Sequence, residues 1–111
     1  MTAPTTDEIL IDKRAREKAA AGAKLLDEKN PGWADKVDAE DLYMGSCFRC
    51  VLGHVYGSFR KGCEELGLVD ENVDLVEVED VEGFGFDRLT GVTTYWALSQ
   101  AWLTEIGNRL A

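Results

Sequence analysis

The strongest constraint on the fold is a strip of small and apolar residues near the N-terminus, spaced three and four positions apart. Its members are Ile11, Ala15, Ala19, Gly22 and Leu26. This spacing places the strip on one face of an α-helix, and its small side chains let another helix approach closely. Thr5 and Glu8 form a T-x-x-E capping box, and Asn30-Pro31-Gly32 ends the pattern. We predict a helix to Lys29 whose strip packs within the chain.

A second helical pattern near the C-terminus predicts a last helix, from Thr93 or Thr94 to about Arg109. One apolar stripe on this helix contains Tyr95, Leu98, Trp102 and Ile106. Trp96 and Leu103 form another stripe on a different side. A helix that is apolar on two sides is either central in the core or shares one side with a partner.

The middle of the chain predicts a further helix from Ser46 to Leu66, with Ser46 as its N-cap and Gly67 as its stop. Glycine weakens a helix, so we expect a kink or break near Gly57. The residues expected on the core face of this helix are Phe48, Leu52, Val55, Phe59 and Leu66.

Residues 73–81, VDLVEVEDV, alternate valine with acidic residues in a weak strand pattern. No other run of similar quality pairs with it, so it is a loop, an edge open to another chain, or half of a symmetric pairing. The length of 111 residues suits one domain. We predict a mainly α-helical single domain of about three helices. Residues 1–6 should be flexible, and residues 64–87 should form an acidic connecting segment with room for one short β-strand.

The net charge of −9 comes from one interval, residues 64–87, which has ten acids and no base. Residues 1–63 sum to zero and residues 88–111 to +1. Such a field repels phosphate backbones, so direct nucleic-acid binding is disfavoured. It attracts a basic protein surface or a cation, although a solvated segment is the simpler interpretation. Calcium is not expected, because Leu75 and Val81 stand where an EF-hand loop needs glycine and glutamate.

The stretch SCFRCVLGH contains Cys47, Cys50 and the only histidine, His54. On a continuous helix these three share one strip, whereas Cys63 lies on the far side of the core face. A zinc site would then need a break near Gly57 or a fourth ligand. Candidates for that ligand are Asp35, Asp38 and Asp41.

Thiol redox chemistry is a second hypothesis for these cysteines. If Cys47 lies in the first turn of a helix, unpaired backbone N–H groups lower its pKa, and Cys50 is placed to resolve a disulfide. The βαβ context of thioredoxin-like motifs is missing from the sequence. Buried thiols and a hydrogen-bonded histidine beside the core are the structural alternative.

Nothing else in the sequence indicates catalysis or a cofactor. It contains no G-x-S-x-G, no phosphate-binding glycine loop and no H-E-x-x-H. No apolar run approaches a membrane span, and the N-terminus has no signal-peptide pattern. Three cysteines, an odd number, favour reduced thiols. We therefore expect a non-enzymatic protein of the cytoplasm.

The run LLDEKNPGWADKVDAEDLYMGSCFRCVLGHVYGSF, followed by GFD and a tryptophan-bearing last helix, resembles small uncharacterised proteins encoded by phages of actinobacteria. The resemblance spans residues 25–106 and is best over PGWADKVD and CVLGHVYG. It implies a phage protein made in the cytoplasm of a bacterial host, and this family brings no established activity. The family often has glutamine in place of His54, which argues against a shared metal site.

The functional expectation is binding to a host or phage protein, such as one with a basic surface that normally meets DNA. The acidic interval would face that surface, and tryptophan on the last helix would contact it. A second copy of the chain could also bind through the last helix. The expected contact residues are Asp70, Glu71, Asp74, Glu77, Glu79, Asp80, Trp96, Trp102 and Leu103.

Overall fold

Helices dominate the computed structural model, which describes residues 6–70, 75–76, 84–87 and 94–111. The described residues form four α-helices: α1 (Thr6–Lys29), α2 (Val51–Tyr56), α3 (Phe59–Glu65) and α4 (Tyr95–Leu110). A short 3-10 helix spans Trp33–Lys36. The prediction of a mainly α-helical, small single domain is confirmed. Residues 1–5 of the expected flexible end, and Thr5 of the capping box, lie outside the described residues.

The first and last helices pack against each other, and this contact contains the predicted strip of α1. The strip residues Ala15, Ala19 and Leu26 are buried, and so are Leu98, Trp102 and Ile106 on the first stripe of α4. Gly22 also lies in the contact, because a Cβ atom there would come within 2.8 Å of the Trp102 ring. The strip of α1 therefore packs against α4 within the same chain, as its spacing predicts.

Three aromatic rings pack together at the centre of this core. Trp102 lies edge-on to Trp33, with ring centroids 5.6 Å apart, and stacks on Phe86 at 5.5 Å. The indole N–H of Trp102 donates to the carbonyl oxygen of Gly85 at 2.7 Å. This hydrogen bond satisfies a buried donor and holds residues 84–87 against the helices.

The predicted helix from Ser46 to Leu66 is divided in the structure. The hydroxyl of Ser46 accepts from the backbone N–H groups of Phe48 and Arg49, but only one turn follows, because the backbone at Cys50 is extended. Helix α2 begins after Cys50 and ends at Gly57, whose φ of 101° places it in the left-handed region. The expected break near Gly57 is confirmed, and the start at Ser46 is wrong.

The early turn also corrects the expected core face. Phe48 was expected to be buried, yet 71% of its surface is exposed, because it lies in the turn before α2 and not on a helix face. Leu52 and Leu66 are buried, and Val55 and Phe59 are half-buried against the core. Ser58 caps α3 by accepting from the backbone N–H of Lys61 at 3.1 Å.

The strand signal corresponds to a minimal antiparallel pair. Strand β1 (Val69–Asp70) pairs with β2 (Leu75–Val76), with Val69 opposite Val76. This pairing was not predicted from the sequence, because a strand of two residues shows no recognisable alternation of apolar and polar side chains. The remainder of the VDLVEVEDV pattern, residues 73–74 and 77–81, lies outside the described residues.

Candidate functional site

Cys50 is an N-cap of helix α2, and its thiol has structural contacts. Its Sγ accepts from the backbone N–H of Gly53 at 3.3 Å and donates to the carbonyl oxygen of Cys47 at 3.8 Å. Burial raises the pKa of the Cys50 thiol. Cys47 is exposed and lies in the turn before the helix, not in its first turn. The helical N-terminus that was expected beside Cys47 therefore begins at Val51, four residues further along the chain.

Cys63 is a buried core residue close to Cys50. Burial raises the pKa of the Cys63 thiol to about 12, with a smaller contribution from the charge that Cys50 would carry. The expectation that Cys63 lies far from the other cysteines assumed one continuous helix. Because the chain turns at Gly57, α3 packs back on α2, and Cys63 comes close enough to Cys50 for the pKa of its thiol to respond to that residue.

His54 joins α2 to the loop that follows the 3-10 helix. Its Nδ1 accepts from the backbone N–H of Asp38 at 3.4 Å, so the neutral ring carries its proton on Nε2. Nε2 lies 3.4 Å from Oδ2 of Asp41, without the geometry of a hydrogen bond. The other carboxylate oxygen of Asp41 accepts from Nε of Arg49 at 3.1 Å. This arrangement holds the loop against α2.

These contacts bear directly on the zinc hypothesis. Across the described ranges, no group of three or more histidine, cysteine, aspartate or glutamate side chains is arranged to hold a metal ion. Cys47, Cys50 and His54 do not lie on one helical strip, because only His54 belongs to the helical part of α2. Of the suggested fourth ligands, Asp41 contacts His54 through its carboxylate, and Asp38 does so only through its backbone.

The two tryptophans proposed as contact residues on α4 differ completely in exposure. Trp102 is fully buried, since it fills the space between Trp33 and Phe86. Trp96 is 64% exposed, and Leu103 is half-buried. Only Trp96 therefore presents a large aromatic surface on this helix. Of the acidic candidates, the backbone of Asp70 belongs to β1, whereas Glu71, Asp74, Glu77, Glu79 and Asp80 lie outside the described residues.

Trp96 borders a groove between α1 and α4, with a volume of about 630 Å³. On the α1 side the groove is lined by Ile11, Asp12 and Arg16. On the α4 side it is lined by Thr94, Trp96, Ala97, Gln100, Ala101 and Thr104. This volume is in the range of ligand-binding clefts in proteins. We refer to this surface as the α1–α4 groove.

The contribution of α1 to the groove was not predicted from the sequence. Asp12 and Arg16 are four residues apart, so they lie on one side of the helix, beside the buried strip. Such pairs are common on exposed helix faces, and only packing against α4 places this one beside Trp96. The sequence signal for this surface was the second apolar stripe of α4, which contains Trp96.

The end of the acidic interval lies against the start of α4. The phenol O–H of Tyr95 donates to Oδ1 of Asp87 at 2.9 Å. This bond ties the last acid of the interval to the first turn of the helix that carries Trp96.

None of the helices in the described ranges is long and apolar enough to cross a membrane. No family model, curated protein or solved structure matches the chain. The resemblance to phage proteins therefore stays a prediction.

Proposed function

We propose that this chain is a small, non-enzymatic phage protein that acts in the host cytoplasm by binding a basic host or phage protein. The acidic interval 64–87 supplies the electrostatic attraction, and the exposed face of α4 at Trp96 supplies an apolar contact. The observation that carries the proposal is the confinement of the net charge, since ten acids and no base occur in that interval. A surface that normally contacts DNA is a suitable partner, because it presents clustered positive charge.

The position of Trp96 supports the same proposal. Exposed tryptophan is uncommon on protein surfaces without a partner and is enriched among residues that dominate interface energies. The hydrogen bond between Tyr95 and Asp87 ties the end of the acidic interval to the start of α4, the helix that also carries Trp96. An acidic interval can attract a basic partner at long range, and an exposed indole on the same protein can then bury its ring against that partner.

The test is a comparison of two neutralised variants that carry the same net charge. The first replaces Glu71, Asp74, Glu77 and Asp80 with the corresponding amides. The second, the matched control, does the same at Glu17, Glu28, Asp35 and Glu40, which are exposed outside the interval. Tagged wild-type protein is used to capture a partner from an actinobacterial lysate, and the purified partner is then titrated with each variant at low and high salt.

We expect the first variant to lose at least about tenfold in affinity at low salt, and the control to stay near wild type. High salt should weaken the wild-type complex, because it screens exposed charges. Capture of no partner, or equal loss in both variants, would contradict the proposal. A Trp96→Ala variant should weaken the same complex, whereas Phe48→Ala, which also removes an exposed ring, should not.

A further inference from the structure

The α1–α4 groove is lined by two exposed side chains of opposite charge. Asp12 and Arg16 both line the groove, one helical turn apart. Within the described part of the chain, neither side chain has an ion-pair or hydrogen-bond partner. Ala97, Ala101 and the exposed Trp96 line the same groove. An occupant that offers a base and an acid at the spacing of one helical turn, next to apolar surface, would pair with both side chains.

We propose that the occupant is a second copy of this chain, related by a two-fold axis that passes near the middle of the Asp12 to Arg16 turn. In a two-fold interface each contact occurs twice, with the two residues exchanged. The two copies of α1 run antiparallel across the groove. Asp12 then pairs with Arg16 of the partner subunit, and Arg16 pairs with Asp12 of the partner subunit. A single two-fold interface would pair both charges and cover the apolar residues that line the groove.

Charge distribution favours a copy over the basic partner proposed for the acidic interval. A strongly basic surface laid in the groove would meet Arg16 as a like charge, and a strongly acidic one would meet Asp12. Outside residues 64–87 the formal charges sum to only +1, so the helical body adds little repulsion between two copies. Because Trp96 borders the groove, the second copy and the basic partner would compete for this tryptophan, but purified protein alone tests the dimer.

The test is a charge exchange, measured by sedimentation equilibrium over a range of protein concentrations. We expect a wild-type dimer. Asp12→Arg and Arg16→Asp should each weaken it by at least about tenfold, because each creates two like-charge contacts. The double variant should return to within a few-fold of wild type, since the exchanged pairs are restored. Glu28→Arg, a reversal on α1 outside the groove, is the matched control and should leave the dimer unchanged.

A monomeric wild type at all concentrations would overturn the proposal, and so would a double variant that dissociates as readily as the single ones. Circular dichroism checks that each variant is folded. If a reversal unfolds the chain, Asp12→Asn and Arg16→Gln replace it, each of which should weaken the dimer less strongly. The variant neutralised at Glu71, Asp74, Glu77 and Asp80 should dimerise like wild type, so failure here is distinct from failure of the proposed function.

Discussion

Gly22 lies where helix α1 meets Trp102 and the backbone of Phe84, and its replacement by alanine tests the packing directly. A Cβ atom at this position would overlap the Phe84 carbonyl oxygen and lie 2.8 Å from the Trp102 ring. Neither neighbour can withdraw freely, since Trp102 donates to Gly85 and stacks on Phe86. Relief of the overlap therefore requires a shift of the loop or of the helix.

The expected magnitude follows from two opposing effects. Alanine in place of glycine inside a helix stabilises by about 1 kcal/mol, because the unfolded chain loses freedom. Overpacking of a core by one carbon costs about 1 to 3 kcal/mol, and overlap with a backbone oxygen belongs at the upper end. We expect Gly22→Ala to lower the free energy of unfolding by about 2 kcal/mol. For a domain of this size, the melting temperature should fall by about 10 °C.

Gly107→Ala is the matched control. Gly107 also lies inside a helix, α4, but a Cβ atom there would meet nothing within 4 Å. The helix effect should then act alone, and the variant should gain about 0.5 to 1 kcal/mol. Urea denaturation at fixed protein concentration measures both variants. A Gly22→Ala protein that is as stable as wild type would show that the loop does not hold α1 as closely as described.

Two further predictions concern ionisable groups. Hydrogen bonds from Arg109 hold the pKa of Asp27 below its ordinary value of 3.8, so this carboxylate stabilises the fold above that pH and loses its effect below it. Asp27→Asn should therefore be less stable than wild type at pH 7, by less than about 1 kcal/mol at this exposed site, and the difference in urea titrations should shrink toward pH 3; a difference independent of pH would contradict this. An aromatic disulfide reagent at pH 7.5 should react rapidly only with Cys47, because Cys50 and Cys63 are buried and burial raises the pKa of both thiols. Two or more rapidly reacting thiols in the folded protein would refute this assignment.

Helical periodicity allowed the core contacts of α1 and α4 to be predicted, because that pattern depends only on residues three and four positions apart. Ala15, Ala19 and Leu98 are buried as their spacing indicates. The start of α2 could not be predicted in the same way. Ser46 has the chemistry of an N-cap, and its hydroxyl does accept backbone hydrogen bonds, yet the helix begins after Cys50, whose thiol is the actual cap.

The candidate surfaces depended on contacts between distant parts of the chain. Trp96 and Trp102 are similar as residues of one helix, and only the neighbours Trp33 and Phe86 determine that Trp102 is buried. The α1–α4 groove likewise exists only when Arg16 and Trp96 come together through folding. No local sequence pattern predicts a contact between residues so far apart in the chain. The charge of the acidic interval, by contrast, can be counted directly from the sequence.

The packing of the first helix on the last sets the order of events during synthesis. Asp27 and Arg109, which pair across this contact, are 82 residues apart. A ribosome adding about 5 to 20 residues per second needs about 4 to 16 seconds to make that length. Throughout this time the strip of α1 is uncovered, but its alanines expose little apolar surface to other chains. Trp102 contacts both Trp33 and Phe86, so the nascent chain can close its core only when α4 leaves the ribosome.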